Sequence, residues 1–383
     1  MQAIYMRSKI CIVATIGRPL IVFMKPHIDM LARYYDVTLI ADATQEEVHE
    51  LLGPNVKLIS LGIERKIHIL KDIKSLVLLY FIFKRENFIS VHSLMPKSGL
   101  LAMVSGFLAG VPCRFHTFTG QVWANKIGFK RWGLKLLDKL VGYCATELLT
   151  DSFTQRKFLI DERVISPKKI NVLANGSICG VDLSRFNFNA AVRCDIRSRL
   201  KIPSDVLVYL YLGRLTKDKG VLDLAVAFSR LVQKIPKVYL LIVGPDEERL
   251  DGKLNKILTH FKGNYQRVDF TVQPELYMAA SDVFCLPSYR EGFGSVIIEA
   301  AAMQVPAIAS NIYGLIDAVQ NGQTGILHPP GDVDAIEECM LKMFNDKYFR
   351  SNLASGAYMR ASADFSKELV VFEMMNFYKK NLS

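Results

Sequence analysis

Between residues 282 and 310 the chain reads DVFCLPSYREGFGSVIIEAAAMQVPAIAS. A short apolar run ends at Pro287, a polar loop carries Gly-Phe-Gly, an apolar stretch of helical length follows, and VPAIAS closes the segment as a second short run. That order predicts strand, loop, helix, strand, which two neighbouring parallel strands require as their crossover. Glu291 then falls in the loop and Glu299 on the helix. In open parallel sheets, loops at the carboxyl ends of strands bind ligands. Free N–H groups at a helix start near Gly294 favour an anion there. A carboxylate beside such a site points to a polar, uncharged partner group such as a sugar hydroxyl.

The same alternation runs through the whole chain. KICIVAT, a helical pattern over about Leu20 to Tyr34 and YDVTLIAD open a nucleotide-fold domain, and VLVYLYLGRLTKDKGV begins a second one. The expected class is therefore α/β with two Rossmann-like domains built on parallel sheets. A chain of 383 residues accommodates two such cores. The divisions read from the sequence are 1–185, 186–365 and a terminal helix over 366–383.

In the second domain, Gly213 ends a buried strand and lets the chain turn, and Arg214 and Lys219 follow. The spacing lets both cations converge on a diphosphate at the strand's end. In the first domain there is no GxGxxG, so a dinucleotide fingerprint is missing. Gly17 supplies a short turn after the first strand, read either as an ordinary turn or as a contact to phosphate or acceptor. His116, near the end of the strand CRFHTFTG, is read either as structural or as a residue approaching the substrate.

Charge divides unevenly. Residues 1–190 carry 25 Lys and Arg against 15 Asp and Glu, whereas residues 191–383 carry 23 against 22. Part of the excess lies in QVWANKIGFKRWGLKLLDKLVGY, where Lys126, Lys130, Arg131, Lys135 and Lys139 alternate with apolar residues including Trp123 and Trp132. Spacings of three and four separate the two kinds of side chain, as in a helix lying on an anionic bilayer. A helix packed on the core with solvated lysines is the other reading. Nucleic acid is not expected as a partner, because no recognised binding module accompanies the charges. No apolar run reaches the roughly 20 residues of a membrane span, and the first residues lack the apolar core and cleavage site of a signal peptide. The expected place is the cytoplasm, peripheral to the inner face of the cytoplasmic membrane. Seven cysteines without CxxC or His-paired spacing read as free thiols, and no metal site is expected.

Several motifs together resemble one family. E-G-F-G-x-x-x-x-E at Glu291 to Glu299 looks like the paired-glutamate E-x7-E motif of retaining glycosyltransferases of family 4. G-R-x-x-x-x-K-G at Gly213 to Gly220 resembles their phosphate-binding element, and N-G-x-x-x-G-V-D at Asn175 to Asp182 resembles the element leading to their hinge. The resemblance implies the GT-B architecture, two Rossmann-like domains facing across a cleft. It implies a nucleoside diphosphate sugar, UDP-linked, as donor, and a polyprenyl-diphosphate-linked glycan of a surface polysaccharide such as O-antigen or capsule as acceptor. Catalysis would fall to Glu291, His116, Arg214 and Lys219, without a bound metal or other cofactor. Donor contacts would come from Gly17, Gly213, Phe293, Gly294, Ser295 and Glu299 in addition. Two alternatives accompany that reading: a soluble enzyme of the same architecture acting on a small sugar or sugar phosphate, and a noncatalytic carbohydrate-binding protein.

Overall fold

Strands whose residues are buried on both faces must be covered by helices on both sides, and such strands pair in parallel. The computed structural model, which describes residues 7–15, 18–63 and 68–382, shows this arrangement twice. One compact unit comprises Met1–Cys179 with Lys367–Ser383, the other Gly180–Ser366.

The strands of the first unit are β1 (Lys9–Val13), β2 (Asp36–Ala41), β3 (Lys57–Ser60), β4 (Ser90–Leu94), β5 (Cys113–Phe118), β6 (Glu147–Thr150) and β7 (Ile170–Val172). They form one parallel sheet in the order β3-β2-β1-β4-β5-β6-β7. Helices Ile69–Glu86, Pro96–Ala109 and Gly128–Cys144 join them, among others. Gly110 terminates the second of these in the left-handed region, where the missing Cβ removes the steric cost. The terminal helix Lys367–Leu382 belongs to this unit. Met374, Met375 and Tyr378 enter its core, and His92 on β4 bridges the hydroxyls of Tyr378 at 2.9 Å and Thr117 at 2.8 Å. Burial lowers the His92 pKa to about 3, so the ring serves as a neutral hydrogen-bonding group.

The second unit carries β8 (Leu207–Leu212), β9 (Val238–Val243), β10 (Tyr265–Val268), β11 (Val283–Leu286), β12 (Ala307–Ser310) and β13 (Gly325–His328), all parallel, in the order β10-β9-β8-β11-β12-β13. The order reverses between β8 and β11, which creates a crevice at their carboxyl ends.

The division at Cys179/Gly180 differs from the boundary at 185/186 read from the sequence. Val181 pairs with Ser366, and Phe186 is buried in the second core. The polar stretch 183–205 is also ordered into the second unit. It contains the helix Ala190–Arg199, capped by the Asn189 side chain. Arg193 and Arg197 both bond to the Asp282 carboxylate at 2.6 Å, which also accepts from the Val208 amide at 2.8 Å.

Candidate active site

The loops after β8 and β11 meet at the crevice of the second unit, and three kinds of contact hold them together. The Tyr289 amide donates to the Asp218 carbonyl at 2.8 Å, and Arg290 donates to the Asp218 carboxylate at 3.0 Å. Thr216 and the neighbouring cations Arg290 and Lys219 hold that carboxyl below its usual range, against the opposing effect of burial. Gly220 approaches the Pro287 carbonyl so closely, at φ +69°, that a Cβ would overlap the oxygen.

This frame places Lys219 against Glu291. The ammonium donates to Glu291 Oε1 at 2.5 Å, and Ser288 donates to the same oxygen at 2.9 Å. Both side chains are largely shielded, 16% and 13% exposed. Oε2 carries no hydrogen bond among the described residues. The Glu291 carboxyl is thus held from one side by a cation and a hydroxyl, with its second oxygen available to accept from a ligand hydroxyl.

Within the chain itself, Arg214 and Lys219 meet different carboxylates. The Arg214 guanidinium pairs with Glu247 at 2.9 Å, because the loop after β9 brings a carboxylate alongside, while Lys219 is taken by Glu291. Gly213 ends β8 with its amide on the Val243 carbonyl, and the backbone of Gly244 packs so tightly on it that neither turn has room for a larger residue at 244.

Gly294 lies in the left-handed region and starts the helix Ser295–Ala302, which has no side-chain N-cap. The Phe293 ring points into the core, edge-on to Phe365 at 5.2 Å, so only its backbone is left for a ligand. Ser295 opens the helix. Glu299 sits one turn further on, half-buried, its side chain with no hydrogen bond or ion pair among the described residues. The nearby Arg185 is taken by Glu275 at 2.8 Å.

Removal from water raises the Glu299 pKa to about 7, with Arg185 opposing and Glu275 adding to the shift. A carboxyl whose pKa is raised on folding stabilises the fold most below its unfolded value, near 4.5, and loses that contribution as the pH rises through 7. Glu299→Gln is therefore expected to melt above the wild type at about pH 8 and with it near pH 5. Thermal unfolding across that range checks this, and parallel curves for the two proteins would contradict it.

In the first unit the outcomes divide. Gly17 lies outside the described residues. His116 is 1% exposed; its Nδ1 meets the Ser93 hydroxyl at 2.9 Å, and Gly99 of the overlying helix packs directly on the ring. Burial lowers its pKa to about 3. In this position it is a packed core histidine, and the reading of it as a residue that approaches substrate is corrected. Both faces of β5 are covered, so its side chain is enclosed whichever way it points, and past the strand's end the polar Thr119 is left partly accessible.

Trp123 is also a core residue and no membrane contact. It is fully buried, stacks on Phe158 at 5.1 Å and donates to Asp138 at 2.7 Å. Arg131 and Lys135 lie over its ring and share Glu162, each at 2.7 Å. Only Lys126, Lys130, Trp132 and Lys139 of the expected set are exposed. A tryptophan's area is more readily buried than solvated, and an indole N–H facing a buried carboxylate pins it there.

The sequence reading missed Asp218, Ser288, Tyr289, Arg290 and Gly220 as parts of the site. Their contacts cross between loops about 70 residues apart, with only the adjacency of Arg290 to Glu291 as a local sign.

Two parallel-sheet units, with a tethered carboxylate at the switch point of the second, define the class of group-transferring GT-B enzymes. The chain belongs to the glycosyltransferases: residues 192–360 match the family "Glycosyl transferases group 1" and residues 29–176 the "Glycosyl transferase 4-like domain". It is 32% identical to the capsular polysaccharide biosynthesis glycosyltransferase CapM of Staphylococcus aureus, over 83% of each chain. With an Escherichia coli UDP-Gal:alpha-D-GlcNAc-diphosphoundecaprenol alpha-1,3-galactosyltransferase it shares 31% identity over 82% of each. In fold it resembles Anabaena HepE crystallised with UDP and glucose, with a TM-score of 0.80 at 18% identity, over 98% of this chain and 100% of that one.

Proposed function

We propose that this glycosyltransferase moves a sugar from a UDP-linked donor onto a lipid-linked glycan, with retention of anomeric configuration, in the assembly of a surface polysaccharide. The observation that carries the reading is the tethering of Glu291 by Lys219 and Ser288 at the crevice, which leaves one carboxylate oxygen open. The E. coli relative's name supplies the lipid-linked acceptor and the UDP-sugar, and the S. aureus relative's name supplies the surface polysaccharide.

In this reading the donor diphosphate lies near Lys219 and the amides of Gly294 and Ser295, and its ribose near Glu299. Gly213 and Arg214 border it from the loop after β8. The C1–oxygen bond to the diphosphate breaks while an acceptor hydroxyl attacks from the same face, and its proton passes to the departing diphosphate oxygen. Glu291 Oε2 accepts from a donor-sugar hydroxyl and faces the positive charge that builds at C1. Prepositioned cations and N–H dipoles stabilise the leaving group, typically by several kcal/mol for such an arrangement. No bound metal is required for this step. Exposed Lys126, Lys130 and Lys139, with Trp132, hold the protein at the inner face of the membrane.

The test is turnover with a panel of UDP-, GDP- and ADP-sugars in EDTA, on a short polyprenyl-diphosphate sugar, with the product's anomeric configuration read by NMR. Turnover of one UDP-sugar, unaffected by EDTA and with the donor's anomeric configuration retained, is expected. Inversion, or dependence on added divalent metal, would overturn the mechanism. Equal rates on free sugars would return the acceptor to the soluble alternative.

A further inference from the structure

A helix packed on a sheet normally turns charged and polar residues to solvent. Two helices of the first unit turn large apolar residues to solvent as well. Helix Ile69–Glu86 packs against Pro96–Ala109, which in turn packs against Gly128–Cys144, so the three lie side by side. The first buries Ser75, Leu79 and Phe83 and exposes Leu70, Ile73, Val77 and Phe81, at spacings of three and four. The third exposes Phe129, Trp132, Leu136 and Tyr143. Between them the Phe107 ring meets Tyr143 at 5.7 Å.

The charges on these two helices are as uneven as the apolar residues. Asp72 pairs with Lys97 at 2.6 Å, Glu86 pairs with Arg85 at 3.0 Å, and Asp138 is buried under Trp123. Exposed cations remain at Lys74, Lys84, Lys130 and Lys139. A second copy of the chain would bring cations against cations across such a face, which costs affinity. An anionic bilayer satisfies both the apolar side chains and the lysines. Helices that return between parallel strands begin at the strands' carboxyl ends. The most exposed apolar residues, Leu70 at 84%, Ile127 at 89% and Phe129 at 92%, all lie at those starts. They therefore sit at the end of the sheet where open parallel sheets bind ligands.

We infer that helix Ile69–Glu86 and the segment from Ile127 to Cys144 form one docking face for an anionic lipid bilayer. Their amino-terminal ends enter the headgroup region, and the rest of both helices lies along it. The inference rests on the membrane-presented acceptor proposed above and adds to it the first helix, which carries no tryptophan and whose basic residues flank an apolar centre.

The experiment is co-flotation of the full chain with phosphatidylcholine vesicles with and without phosphatidylglycerol. Wild type is compared with a Leu70→Ser/Phe81→Ser pair and a Phe129→Ser/Leu136→Ser pair, circular dichroism serving as the fold control. Each pair is expected to weaken partitioning into phosphatidylglycerol vesicles by about tenfold or more, given the apolar area each removes from the lipid contact. Trp132 emission should shift to shorter wavelength on binding, and Trp132→Phe should abolish the shift, since Trp123 is already buried. If the Phe129/Leu136 pair weakens binding and the Leu70/Phe81 pair leaves it unchanged, the two-helix face is wrong while the membrane reading stands. Absence of binding to either vesicle overturns both. A wild-type dimer in gel filtration that the Leu70→Ser/Phe81→Ser pair converts to monomer would assign the face to a second copy and overturn the inference.

Discussion

Glu291→Gln is expected to lower turnover by about 10²–10³-fold, the range found when one prepositioned electrostatic group is removed from an active site. The amide keeps the size of the side chain and can still accept from Ser288. It loses the charge that pairs with Lys219 and that faces the developing positive charge at C1. Because that charge exists in the transition state and not in the bound donor, the loss should fall on kcat, with donor KM changed only severalfold. Lys219→Met should behave differently. It removes a cation near the donor diphosphate in both ground and transition states, so KM should rise along with the fall in kcat. Single-turnover kinetics with isothermal titration of UDP separate the two. A Glu291→Gln enzyme with wild-type kcat would remove Glu291 from the chemistry and leave it as a tether for the loop.

Gly220→Ala is expected to disrupt the site without touching a charged group. At φ +69° an added Cβ is strained wherever it occurs, at about 1–3 kcal/mol, and here it would also overlap the Pro287 carbonyl. The two loops would have to separate, and the separation acts on every contact that spans them: Lys219 to Glu291, Arg290 to Asp218 and the Tyr289 amide to the Asp218 carbonyl. UDP affinity should therefore drop at least tenfold, in step with a lowered melting temperature. Gly252→Ala, on an exposed helix where a Cβ meets nothing, is the control and should leave UDP affinity unchanged without lowering the melting temperature. A Gly220→Ala protein that binds UDP like the wild type would show that the loops tolerate separation.

Much of this architecture was written in local pattern. The runs VYLLIV at β9 and LVYLYL at β8 are apolar throughout because both faces of a parallel strand are covered, and such runs can be recognised without any tertiary information. The stretch around Glu291 was equally readable, since Gly294 must occupy the left-handed region for the helix to begin there. The terminal helix showed itself as a helix by its pattern. Its hydrogen bond between Tyr378 and His92 links positions 286 apart, and nothing near either residue announces it.

The errors share one cause. Trp123 and Trp132, nine residues apart in one basic segment, look alike in sequence, yet one is clamped between Phe158 and Asp138 and the other is exposed. His116 sits two residues before the end of β5, and its ring lies against the helix above, where the missing Cβ of Gly99 leaves room for it.

Taken alone, the sequence determined the two parallel α/β units, the loop position of Glu291 and the helical position of Glu299, because periodicity, glycine placement and turn chemistry act over a few residues. The tertiary structure alone decided which charges pair and which aromatic rings are covered. Those choices depend on which strands become neighbours, and the reversal of order between β8 and β11 brings together two loops that the chain itself keeps far apart.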